Sequence, residues 1–171
     1  MSTNKGKVFE SQFKASVPDY CLLIRLNDPP QALKKSSALR FVPSNPCDYL
    51  AFDSKRKMFL PIELKSTKSK SMPYSMIRDN QITSLKKFAE YDGCVPGFLF
   101  NYRDDEKHFE RCYFMHIYDF NKMMRDTDKK SFNEIDVLLN GVIKVDGSKA
   151  RTRWTWDIDG LFEEIYKRYN V

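Results

Sequence analysis

The chain has 171 residues, 42% of them hydrophobic and 30% charged, with a formal net charge of +6. That length supplies one well-buried core and is short for two, so residues 1–171 are expected to form a single domain. No run approaches the roughly 18 apolar residues of a membrane span, and Met1 to Lys7 lacks the apolar core of a signal peptide, which points to a cytoplasmic protein without a membrane partner.

In chain order, Phe9, Phe13 and Val17 step by four, predicting a short amphipathic helix from about Gly6 to Val17 that Pro18 stops. Tyr20 to Leu26 is an apolar run of strand length, broken by Asn27-Asp28-Pro29-Pro30. Residues 31–46 are basic, polar and bounded by prolines, and read as an excursion rather than a core element. Cys47 to Phe52 and the run through Ile62-Glu63-Leu64-Lys65 read as two strands joined by the polar turn Asp53-Ser54-Lys55-Arg56-Lys57. A Lys/Ser loop then leads to a helix from about Tyr74 to Tyr91, with Ile77, Gln81, Leu85 and Phe88 on its inner stripe.

Val95 to Tyr102 and Arg111 to Tyr118 are further strand candidates. Asp119 is placed to cap a short helix through Met124, Ser131 and Glu134 to form a capping box, and Gly141 to end the helix that follows. A last helix, Asp159 to Tyr169, turns Leu161, Phe162, Ile165 and Tyr169 inward. Helix, strands, helix, strands and helices in that order imply a mixed α/β layer architecture, a central sheet covered by helices. Cys21, Cys47, Cys94 and Cys112 are scattered through apolar runs with no CxxC spacing, and only His108 and His116 could join them, so they read as reduced core thiols and not as zinc ligands.

The chemistry concentrates on two strands. Glu63 and Lys65 are two apart and share one strand face, whereas Leu60, Ile62 and Leu64 point to the other. A hairpin brings Asp48 beside Glu63. Two carboxylates held close make an oxygen-rich pocket for Mg²⁺, and a neighbouring Lys supplies a donor for developing negative charge. Charges inside the apolar run Met58-Phe59-Leu60-Pro61-Ile62 need a reason, although acids and lysines on a strand face are commonly just solvated. Positive groups cluster at Lys34/Lys35/Arg40, Lys55/Arg56/Lys57, Lys65/Lys68/Lys70 and Lys149/Arg151/Arg153, a distribution that suits a phosphate backbone.

The set Gly6-Lys7-Val8-Phe9-Glu10, Cys47-Asp48-Tyr49, Ile62-Glu63-Leu64-Lys65-Ser66 and Asn80-Gln81 resembles the PD-(D/E)xK nuclease superfamily. Within it, the set is most similar to the RecU-type Holliday junction resolvases of Gram-positive bacteria and their phages. The resemblance spans roughly residues 4 to 100. It implies a restriction-endonuclease-like fold in which Asp48, Glu63 and the Leu64 carbonyl hold metal, Lys65 orients water or stabilises charge, and Glu10 and Gln81 assist. It also implies Mg²⁺, with Mn²⁺ able to substitute, no organic cofactor, branched DNA as partner, and a homodimer with one site per subunit. Lys34, Lys35, Arg40, Lys68 and Lys70 would then touch DNA, the first three from an excursion in the position of the family's stalk.

The chain departs from that family in having Asn27-Asp28-Pro29-Pro30 after the first strand and Asn80 before Gln81, where the family usually has a Lys-Pro-Thr-Pro-like stretch and a His. Two rival readings stay open. One is a restriction- or repair-type endonuclease on duplex DNA. The other is a non-catalytic DNA-binding module in which Trp154 and Trp156 stack on bases, against their reading as core or dimer interface. Gln81 also reads as a hydrogen-bonded amide at a helix edge, and Glu10 as a solvated helix residue.

Overall fold

The computed structural model describes residues 5–26, 45–104, 106–151 and 153–171, so the excursion with Lys34, Lys35 and Arg40 lies outside the described residues. Helix α1 (Lys5–Ser16) is followed by strands β1 (Cys21–Arg25), β2 (Tyr49–Asp53) and β3 (Met58–Thr67). After β4 (Ser71–Pro73) and a 3-10 turn at Tyr74–Met76 come α2 (Asp79–Phe88) and β5 (Gly97–Asp104). The order continues with β6 (Phe109–His116), α3 (Ile117–Arg125), β7 (Ser131–Asn133), α4 (Glu134–Leu138), β8 (Ile143–Val145), β9 (Gly147–Ala150), β10 (Arg153–Trp156) and α5 (Ile158–Tyr169).

Six strands form the central sheet in the order β1-β2-β3-β5-β6-β8. Every neighbouring pair is antiparallel except β3 and β5. A parallel pair needs a crossover, and the segment carrying α2 provides it. The result is the mixed α/β fold, a central sheet flanked by helices, that the order of elements implied.

Strand alternation divides the side chains between two cores. Leu60 and Ile62 of β3 join Phe9 and Phe13 of α1, Leu99, Phe114 and the inner face of α5 on one side. Phe98, Phe100, Tyr113 and Met115 pack with Leu85, Phe120 and Phe132 on the other. Phe9 and Phe13 are almost wholly buried, each contributing ~1.5–3 kcal/mol. Their anchoring fixes the rotation of α1 and hence the direction in which Glu10 points.

Several local expectations are corrected. The helix foreseen over Tyr74 to Tyr91 is a 3-10 turn, then an extended break at Ile77 and Arg78, then α2. The break exists because Met72 pairs with Phe132 in the two-stranded β4–β7 ribbon and Tyr74 N–H donates to the Lys130 carbonyl at 3.0 Å. That same ribbon takes Ser131 into a strand, so the capping box forms two residues later, between Asn133 and Asp136. α3 is capped by His116, whose Nδ1 accepts from Tyr118 N–H at 3.3 Å, and Asp119 sits inside its first turn. Gly141 has φ of +77° but lies beyond the Leu139 cap of α4. Trp154 and Trp156 are buried and stacked, ring centroids 5.4 Å apart, so their role is core packing rather than base stacking.

Candidate active site

The pairing of β2 with β3 ends at Tyr49 opposite Ile62, which sets Asp48, the residue just before β2, across from Glu63. Beyond that point no described strand covers this edge of β3. Asp48 Oδ2 takes its place and accepts from Leu64 N–H at 2.8 Å, while the Asp48 carbonyl accepts from Leu26 N–H at 2.9 Å. In an extended strand the N–H and C=O of one residue project to the same edge, so the Leu64 carbonyl also faces the Asp48 side.

Glu63 is 2% exposed. Its Oε1 pairs with Lys65 Nζ at 2.8 Å and accepts from Gln81 Nε2. Gln81 Oε1 in turn accepts from Lys65 Nζ at 3.3 Å and from Arg78 N–H at 3.1 Å. One amide therefore closes the first turn of α2 and ties Glu63 to Lys65, which explains a buried glutamine in an apolar stripe. The second oxygen of Glu63 is different: Oε2 is buried and has no partner among the described residues. Buried acceptors are almost always satisfied, so this oxygen is open to a partner that the described residues do not supply.

The electrostatics agree with that geometry. Burial raises the Glu63 carboxyl and the nearby Asp48 charge raises it further, to about 7, against the pull of Lys65. Burial also raises Asp48, with the Leu64 N–H and Lys65 opposing. Two acids pushed toward protonation beside each other are arranged to receive positive charge. Among the described residues no three His, Cys, Asp or Glu side chains form a ready-made metal cage. The donors on offer are two carboxylates and a main-chain carbonyl, hard oxygens that fit Mg²⁺ or Mn²⁺.

Glu10 approaches from the opposite face of the sheet, on α1. Tyr49 donates its hydroxyl to Glu10 Oε1 at 3.2 Å and Arg25 forms an ion pair with the same oxygen. Glu10 therefore stands behind Tyr49, close enough for its charge to act on Asp48 but held by Arg25. Arg25, and the role of Tyr49 beyond its place beside Asp48, escaped the reading of the sequence. The two residues face each other in the β1–β2 register, but the long connection between those strands hides that register from a sequence pattern.

Lys68 and Lys70 are exposed just beyond the end of β3. Lys34, Lys35 and Arg40 fall outside the described residues; of the residues next to them in the chain, Asn45 donates its Nδ2 to the Leu26 carbonyl at 3.1 Å and accepts at its carbonyl from Asn80 Nδ2 at 3.3 Å. The Lys55/Arg56/Lys57 cluster is mainly structural, with Arg56 bound to Asp53, Asp159 and Glu163 and Lys55 over the Tyr20 ring. The Cys47 thiol next to Asp48 is pushed up to about 12, chiefly by burial, and is inert at neutral pH.

No family model matches the chain. It is similar to the SPbeta prophage-derived uncharacterized protein YotM of Bacillus subtilis (strain 168), with 34% identity over 182 residues, 98% of this chain and 89% of that protein. Among solved structures it is similar to Hjc, a Holliday junction resolvase from the archaeal hyperthermophile Archaeoglobus fulgidus. The TM-score is 0.45 and the identity 18%, over 79% of this chain and 89% of that one.

Proposed function

The chain belongs to the family of the SPbeta prophage-derived protein YotM of Bacillus subtilis, and from that premise we propose that it is a Mg²⁺-dependent DNA endonuclease resolving four-way junctions. One observation carries the reading. Glu63 is buried with one oxygen satisfied by Lys65 and Gln81 and the other open, beside the Asp48 carboxylate and on the edge to which Leu64 turns its carbonyl. The motif resemblance adds the substrate class, and the prophage origin of YotM fits a phage-type resolvase.

Asp48, Glu63 and the Leu64 carbonyl would hold Mg²⁺, which when bound acidifies water and neutralises phosphate charge. Lys65 directs one proton at Glu63 and one at Gln81 and can donate the third to charge developing on the phosphoryl oxygens. Gln81 holds both Glu63 and Lys65, so neither has to be reoriented as the reaction proceeds. Glu10 steadies Tyr49 and, through it, the start of β2 that places Asp48. Junction resolution needs two symmetric cuts, which a two-fold homodimer with one site per subunit supplies.

The test is to incubate the protein with a synthetic four-way junction and a matched linear duplex, with and without Mg²⁺. Paired nicks on the junction alone support the reading. Equal cutting of the duplex would make this a restriction- or repair-type enzyme, and binding without cutting under any divalent cation would make it a binding module.

A further inference from the structure

On the sheet face that carries Glu63 and Lys65, Thr67 is the next residue along β3, and its neighbour across the parallel pair is Tyr102 of β5. Tyr102 lies in the wall of a cleft of about 1080 Å³ bounded by the β3–β4 loop, the start of β7 and α4. Four acids among the described residues line the cleft: Asp104 accepts from the Lys107 N–H, Glu106 is exposed, and the two of the α4 wall are engaged by neighbours. Glu134 is bound by Arg111 and by the Tyr113 hydroxyl, and Asp136 by Lys129 and the Asn133 N–H. Lys68, Lys70 and Lys130 line the same cleft, exposed and without an ion pair among the described residues. Tyr102 itself is 3% exposed, and its hydroxyl has no partner among the described residues.

Three unspent lysines around a buried donor without an acceptor fit an anion with several oxygens. The cleft is also close to the cutting site, since the chain from Lys65 to Lys70 spans at most about 17 Å. At ~3.4 Å of rise per nucleotide along one strand, that is within about five nucleotides of the scissile bond. We infer that this cleft seats a backbone phosphate of the DNA strand leaving the site, with Lys68, Lys70 and Lys130 supplying charge and the Tyr102 hydroxyl a hydrogen bond, directly or through water. The inference rests on the DNA-cutting function proposed above and adds where the strand runs.

The experiment measures affinity for a four-way junction over a salt series, in Ca²⁺ to suppress cutting, for the full chain and two variants. Replacing Lys68, Lys70 and Lys130 together by Ala should weaken binding and flatten the slope of log affinity against log salt by about one unit, at about 0.9 for the one duplex-arm phosphate that is no longer neutralised. Tyr102→Phe should weaken binding several-fold while melting is unchanged or raised, because a hydroxyl that stayed unpartnered would be harmless to remove. Unchanged slope and affinity in both variants would overturn the seat. So would a cleft that binds inorganic phosphate in a Tyr102-dependent way while DNA affinity stays put, which would mark a site for free phosphate. Mg²⁺-dependent cutting by the unaltered protein is scored separately. Its absence, with the cleft variants still losing affinity, counts against the nuclease reading and not against the seat.

Discussion

The β2–β3 hairpin carries a buried carboxylate at each end, and the two are wired in opposite ways. At the turn, Asp53 is 0% exposed and its oxygens are occupied by the Lys55 and Arg56 N–H groups and the Arg56 guanidinium. Five residues into β3, Glu63 is 2% exposed with one oxygen bonded and the other bare. Burying either charge is expensive. Asp53 is compensated entirely by the protein and so holds the fold together, whereas Glu63 is compensated in part, and its bare oxygen is the one assigned above to the proposed cation. Burial is nearly the same for the two acids; the count of satisfied lone pairs is what differs.

The strongest test of that contrast is Glu63→Gln. Metal-dependent cutting should fall by at least ~10³-fold, since a ligand charge is lost at the reacting centre, while DNA binding persists or tightens. Loss of binding in step with activity would show that Glu63, like Asp53, serves the fold. The converse change is Arg56→Ala, which strands Asp53 and leaves Asp159 and Glu163 without their shared partner. It should cost roughly 3–5 kcal/mol, as for breaking a buried pair, and lower Tm by roughly 6–20 °C, leaving cutting per folded molecule intact. A thermal melt with wild-type stability would dissolve the distinction from the other side.

Lys65→Ala should slow cutting by on the order of 10²-fold, the range for removing one transition-state donor, with little change in affinity. A change confined to KM would make Lys65 a binding group. The smallest effect concerns pH. Because burial and Asp48 raise Glu63 to about 7, the folded protein holds a proton that the unfolded chain gives up in the ordinary carboxylate range. The stability tied to that proton is complete at low pH and is lost as pH rises through about 7. A divalent cation takes the proton's place, so Ca²⁺ should raise Tm by a few degrees at pH 8 and hardly at all at pH 5.5. Glu63→Gln should abolish the difference between the two pH values.

Much of this was legible in the sequence, for reasons that particular residues make plain. Period-two alternation from Leu60 to Lys65 says which side chains share a face without reference to anything distant, and Leu60, Ile62 and Leu64 do join one core while Glu63 and Lys65 pair with each other. The four-residue step of Phe9 and Phe13, the stop at Pro18 and the strand runs at Tyr20 and Arg111 are local in the same sense. The helix starts were read less well. Ser131 is a good cap by composition, but its backbone is claimed by β4, where it pairs with Pro73, 58 residues earlier in the chain. Trp154 and Trp156 offered two readings until the first core closed over them.

The longer helices and strands, their inward faces and the set of acids, amide and lysine that could form a site were readable from the chain, because each depends on neighbours within a few residues; the short strands β4, β7, β8, β9 and β10 were not. The tertiary structure decided which of two buried carboxylates is open. Asp53 is closed by an Arg56 that α5 holds in place from 103 residues further on, and Glu63 is left half open because β2 stops pairing at Tyr49 and α2 brings only one amide. Satisfaction of a buried charge is a property of everything packed around it, and that surrounding is assembled from segments whose meeting no local pattern records.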